Sequence, residues 1–139
     1  MTCPDINVWL ALATPEHAHS AEACAWWDQE NGPIAFSRLT QLGLLRIVTT
    51  AAAMGGNPLT MDQAWRLYDT FFEDDRVTFL PDPGQGDHEF RRLAAGGLAS
   101  PKVWNDAWLL ALCRNSRAVL VTFDRALKER GATCLLSPL

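Results

Sequence analysis

Three aspartates stand where a small parallel α/β sheet gathers side chains at one edge. Asp5 follows the first short apolar stretch, Asp106 lies near the start of a helix-like segment, and Asp124 closes the apolar run Ala118-Val-Leu-Val-Thr-Phe123. The ends of the strands carrying Asp5 and Asp124 share one edge of a parallel sheet, and a helix leading back to the next strand begins at that same edge. Carboxylates brought together repel one another, and the repulsion is relieved by a raised pKa or by a hard cation such as Mg2+ or Mn2+ held through oxygen. Taken singly, Asp5 and Asp106 read first as helix caps. It is the three together that point to metal-dependent chemistry.

The charge pattern suits a polyanionic substrate. Residues 1–37 contain five Asp or Glu and no Lys or Arg, whereas residues 91–139 hold eight Lys or Arg (Arg91, Arg92, Lys102, Arg114, Arg117, Arg125, Lys128, Arg130) against three acids. Two of those three acids are Asp106 and Asp124. An acidic metal site rimmed by cations meets a scissile phosphate at its centre and the neighbouring phosphates at its edge. The alternative reading of each arginine is ordinary solvated helix surface.

The elements that must position the aspartates follow from patterning. The start, Met1 to Pro4, makes only a short strand, because Pro4 cannot donate to a ladder. Ile6 to Ala13 reads as a buried turn or helix, and Thr14-Pro15 predicts a capped helix from about Pro15 to Glu30. Ile34–Phe36 is a strand, Leu39 to about Ala53 has helical spacing, Met54 to Pro58 breaks the chain, and Thr60 caps a helix from Met61 to about Glu73. Val77 to Leu80 is a third strand and Asp87 to Ala95 a helix. Ser100-Pro101 opens a helix through Asn115, Ala118 to Phe123 is the strongest strand, Asp124 to Arg130 a short helix, and Thr133 to Leu136 a last strand. This alternation predicts an α/β domain with a parallel sheet covered on both faces. At 139 residues and 48% apolar, the chain fits one domain, residues 1–139.

Other chemistries fit poorly. Cys3, Cys24, Cys113 and Cys134 form no metal-ligand spacing and read as reduced core residues. His17, His19 and His88 form no zinc set and read as surface residues. No serine-hydrolase elbow, P-loop or dinucleotide fingerprint occurs. Trp9, Trp65 and Trp108 read as core rather than as base-stacking platforms. Trp26-Trp27 and Phe71-Phe72 are adjacent helical pairs, which predicts an apolar stripe wider than one core buries. No signal peptide is visible and no apolar run reaches about 18 residues, so a cytoplasmic protein without a membrane segment is expected.

Asp5-Ile-Asn7-Val8, Asn105-Asp106-Ala-Trp-Leu-Leu-Ala111 and Thr122-Phe-Asp124, in this order and over the whole chain, resemble the PIN-domain ribonucleases, and most of all the VapC toxins of bacterial toxin–antitoxin pairs. The resemblance implies a PIN-like three-layer α/β/α fold with a short parallel sheet flanked by helices. It implies a Mg2+- or Mn2+-dependent endoribonuclease held inactive by a cognate antitoxin. Asp5, Asp106 and Asp124 inherit the catalytic, metal-binding role, and Asn7 and Thr122 the supporting one. Gly43 departs from the pattern, since it stands where the family usually carries a Glu. Arg38 and Arg46, on the same helix, are the candidate RNA contacts, with solvated or ion-paired roles as the alternative. The rival function is a PIN-fold binding protein that keeps RNA or antitoxin binding without catalysis. A homodimer is the other use expected of the apolar stripe. Substituting Gly43 by Glu is expected to strengthen metal binding and to stabilise the helix by up to about 1 kcal/mol.

Overall fold

The computed structural model describes residues 1–84 and 87–138. Five short strands, β1 (Thr2–Pro4), β2 (Ile34–Phe36), β3 (Val77–Phe79), β4 (Val119–Thr122) and β5 (Thr133–Cys134), form one sheet in the order β3-β2-β1-β4-β5, with every pairing parallel. The helices are α1 (Ile6–Ala13), α2 (Ser20–Gln29), α3 (Arg38–Val48), α4 (Met61–Phe71), α5 (Asp87–Leu93), α6 (Pro101–Asn115) and α7 (Arg125–Lys128), with a 3-10 turn at Ala51–Met54. The chain starts in the middle of the sheet, moves outward through β2 and β3, then crosses back to lay β4 against the other side of β1. Strand order reverses between β1 and β4, and the crevice at their carboxyl ends is where open α/β sheets hold ligands.

Strand alternation sorts the core into layers. Ile34 and Phe36 point to one face, with Trp9, Leu44, Val48, Ala64, Tyr68 and Val77 of the α1, α3 and α4 side, while Ala35 between them points to the other. Leu120 joins Leu109, Leu112 and Cys113 of α6, whereas Val121 and Phe123 pack on Val8, Ala11 and Ala23 of α1 and α2. The result is the three-layer α/β/α arrangement expected from the sequence. Pro4 sits at the last position of β1, opposite Val121, and the Asp5 N–H resumes the ladder by donating to the Val121 carbonyl at 2.8 Å. A proline is thus tolerated in a central strand because the strand ends on it.

Several expectations need correction. The helix predicted from Pro15 begins at Ser20 instead, and Thr14 terminates α1 rather than capping α2. The Thr14 carbonyl accepts from His17 N–H at 2.9 Å, and the His17 and His19 rings pack against Phe123 with centroids 6.1 and 4.8 Å away. Tertiary packing of two rings on Phe123 overrides the local cap-then-proline signal, and these two histidines are half-buried rather than on the surface. Trp26, Trp27 and Phe71 do not form a free stripe, because they wrap the Trp9–Phe36 core. Trp9 and Phe36 stack at 3.6 Å and 10°, an arrangement worth about 0.5–1.5 kcal/mol beyond area burial. The exposed large apolar residues among those described are Met1, Leu42, Met61, Trp65, Phe72, Leu98, Trp104 and Val119, so of the expected stripe only Phe72 is exposed, and Trp65 is not core. All four cysteines are free, but Cys24 is exposed.

At Gly43 the helix gain expected from a substitution meets a packing obstacle. It is buried where α3 crosses α1, and a Cβ there would lie 2.3 Å from Ile6 Cδ1 and 2.7 Å from Ile6 Cγ1. The position is not simply a poor helix former awaiting a side chain. Any substitution, Glu included, must shift the side chain of Ile6, the residue that follows Asp5.

Candidate active site

Asp5 caps α1 from the end of β1, its Oδ1 accepting from the Ile6 N–H at 2.7 Å. Asp124 caps α7 after β4 in the same manner, its Oδ1 accepting from the Ala126 N–H at 2.9 Å. Thr122 joins the two. Its side chain is fully buried, its hydroxyl donates to Asp5 Oδ2 at 3.1 Å, and its oxygen accepts from the Asp124 N–H at 3.0 Å. One hydroxyl therefore fixes both carboxylate-bearing residues across the strand-order reversal. Asp5 and Asp124 each use one oxygen as a helix cap, and their second oxygens accept from the Thr122 hydroxyl and the Lys102 ammonium.

Asp106 enters from α6, the helix leading into β4, half-buried and free of hydrogen bonds among the described residues. Burial raises its carboxyl above the ordinary Asp range, and the charge of Asp5, with a smaller push from Asp124, raises it further. The Asp5 carboxyl is also raised, above all by burial, while the Ile6 N–H and the Thr122 hydroxyl pull the other way and the Asp124 charge adds to the rise. Asp124 is held below the ordinary range, chiefly by the ammonium of Lys102. The charges of Asp5 and Asp124 thus both raise the Asp106 carboxyl.

Lys102 is the residue that sequence reasoning passed over, since it appeared there only among the basic residues of the C-terminal third. Its Nζ donates to Asp124 Oδ2 at 2.7 Å, and the charges of Asp124, Asp106 and Asp5 all hold its pKa up. The signal was present in the chain: Lys102 and Asp106 are four residues apart on one helix and so share a face. Asn7 lies exposed in the first turn of α1 and makes none of these hydrogen bonds. Among the described residues, Arg38 and Arg46 make no hydrogen bond or ion pair with the three aspartates. Arg38 donates to Gln41 Oε1 and its guanidinium lies 4.9 Å over the Phe79 ring, while Arg46 lines an apolar groove between α3 and α4 with Leu42, Met61 and Trp65.

Among the described residues, no three His, Cys, Asp or Glu side chains close into a ready-made ion cage. The donors nevertheless suit a hard cation: carboxylate oxygens only, two of them with raised pKa, and a lysine ammonium already attracted to them. An open site of this kind matches Mg2+, which keeps several waters and uses one or two carboxylates plus substrate phosphate.

Comparison with known proteins agrees with this geometry. The PIN domain family matches residues 2–132. Ribonuclease VapC41 of Mycobacterium tuberculosis is 39% identical over 133 residues, covering 91% of this chain and 91% of its own. Ribonuclease VapC39 of the same organism is 29% identical over 145 residues, covering 97% and 96%. The crystal structure of Mycobacterium tuberculosis VapC20, described as a sarcin-ricin loop cleaving toxin, superposes with a TM-score of 0.70 at 13% identity over 99% of this chain and 100% of that one, a likeness of fold. By the family match and by its identity to VapC41 over nearly its full length, the chain belongs to the PIN domain family, among the VapC ribonucleases.

Proposed function

We propose that this protein is the endoribonuclease toxin of a toxin–antitoxin pair, cutting RNA phosphodiesters with one or two divalent cations, Mg2+ or Mn2+, held by Asp5, Asp106 and Asp124. The observation that carries the reading is the Thr122 hydroxyl, which ties the Asp5 carboxylate to the Asp124 backbone at the strand-order reversal. A bound divalent cation supplies Lewis acidity toward a phosphoryl oxygen and acidifies water. The chain's own part is to hold the donors. Asp5 and Asp124 each commit one oxygen to a helix N–H, while Thr122 donates to the second oxygen of Asp5 and Lys102 to that of Asp124, so both carboxylates are held in a fixed plane. Asp106, free of such bonds, completes the set from α6. Thr122 supports Asp5 directly, and Asn7, in the first turn of α1, is assigned a supporting place by the family resemblance.

Cations at the rim offset the charge of an incoming phosphodiester, and Lys102 and Arg130 are those whose fields act on Asp106. Arg38 and Arg46 belong to the proposal only as outer RNA contacts. The antitoxin and the RNA substrate are taken from the VapC relationship, and a homodimer and a cytoplasmic setting are carried over from the sequence reading. Among the described residues, no helix is long and apolar enough to cross a membrane.

The test is cleavage of a panel of structured RNAs by the wild type and Asp106→Asn in Mg2+, Mn2+ and EDTA. Cleavage by the wild type with metal alone, reduced at least tenfold in the variant, is expected. Cleavage that persists equally in EDTA, or in the variant, overturns the reading.

A further inference from the structure

The ion pair between Lys102 and Asp124 has a meaning beyond local stability. Asp124 Oδ1 is committed to the Ala126 N–H, so Oδ2 is the oxygen that Asp124 can offer to a cation, and Lys102 Nζ already holds it at 2.7 Å. The lysine side chain is 72% exposed and approaches from the first turn of α6, whereas the Asp124 side chain is only 25% exposed. A flexible stem reaches inward from solvent to place a single positive charge on the acidic cluster. Lys102 also stands four residues ahead of Asp106 on the same helix face, so from one position it pairs with Asp124 and faces the carboxylate of Asp106.

We propose that Lys102 is a resident counter-cation which a divalent ion must displace, so that this residue sets the metal affinity of the centre. The inference rests on the metal reading of the three aspartates. Three carboxylates gathered without a positive charge repel one another, and one ammonium offsets part of that repulsion. A lysine suits the role because its compact, strongly hydrated charge on a four-carbon stem returns to water readily. An arginine would pair with a carboxylate through two parallel N–H bonds and release it less readily.

The experiment is calorimetric titration of Mn2+ into the wild type, Lys102→Met and Lys102→Arg, with thermal unfolding of each in EDTA and in saturating Mn2+. An exposed ion pair is worth up to about 1 kcal/mol, so its removal should tighten Mn2+ binding about fivefold in Lys102→Met. Lys102→Arg should bind no more tightly than the wild type. In EDTA the Met variant should melt below the wild type, and Mn2+ should raise its Tm by more. Equal or weaker Mn2+ binding by Lys102→Met, with the wild type binding normally, overturns the role of Lys102 and leaves the metal reading intact. Absence of Mn2+ binding in both proteins overturns both.

Discussion

Gly43→Ala separates helix propensity from packing. On propensity alone the substitution stabilises α3 by up to about 1 kcal/mol. The structure adds an opposing effect. The new methyl would meet Ile6 Cδ1 at 2.3 Å, Cγ1 at 2.7 Å and Cγ2 at 3.2 Å, against an ordinary carbon–carbon separation of about 3.5–4.0 Å. Turning the terminal methyl of Ile6 relieves the first contact but leaves Cγ1 too close, so the side chain or α1 itself must move by roughly 1 Å. Overpacking of this kind costs about 1–3 kcal/mol, and after the helix gain the net expectation is a loss of up to about 2 kcal/mol. Urea denaturation measures it. Placing Gly43→Ala on an Ile6→Ala background removes all three clashing atoms, and there the same substitution should become stabilising. The function responds too, because the Ile6 N–H fixes Asp5 Oδ1 and a displaced Ile6 moves that carboxylate. A stabilising Gly43→Ala in the otherwise wild-type protein would refute the reasoning.

The remaining predictions concern the site and its charges. Thr122→Val deprives Asp5 Oδ2 of its donor and the Asp124 N–H of its acceptor, so it should cost about 1–3 kcal/mol and lower RNA cleavage about 10–100-fold, checked by denaturation and by initial rates. Asp5→Asn should raise the Tm of the metal-free protein at pH 7. The folded-state pKa of Asp5 is raised, so its contribution favours folding below the unfolded pKa and is lost as pH rises through the folded value; the gain should vanish below the ordinary Asp range. Asp74 has the opposite sign. Its pKa is lowered from 3.8 to about 2 by hydrogen bonds from Arg76, so its stabilisation is present above 3.8 and lost as pH falls toward 2, and melting curves of wild type and Asp74→Asn should converge across that window.

Much of the site was legible because its residues stand at element ends, where sequence signals are strongest. Asp5 and Asp124 follow short apolar strands and cap the next helix, and a parallel sheet brings two such positions to one edge whatever the details of packing. Ser100-Pro101 likewise marked the start of α6 and thereby the depth of Asp106. What local pattern could not supply was distance across the fold. The Thr14-Pro15 signature looked like a helix start until Phe123, more than a hundred residues away, drew His17 and His19 onto its ring. Gly43 looked like an empty ligand position because nothing in its neighbourhood of sequence reveals that Ile6 lies against it. Trp26, Trp27 and Phe71 looked like surplus surface because the shared core that absorbs them is assembled from α1, α2, α4 and β2. Lys102 was missed for a different reason: a lysine in a basic segment is unremarkable until its partner is known.

The central claim is that three aspartates from three elements form one divalent-metal centre, and Asp106 tests it most cleanly. Asp5 and Asp124 cap helices, so replacing either perturbs local structure as well as charge, whereas Asp106 makes no cap and takes part in none of the site's hydrogen bonds. Calorimetric titration of Mn2+ into Asp106→Asn beside the wild type therefore isolates the ligand role. The account predicts at least tenfold weaker binding in the variant, about 1.4 kcal/mol, with its urea midpoint at or above that of the wild type in EDTA. Unchanged Mn2+ affinity in a folded Asp106→Asn protein would contradict it.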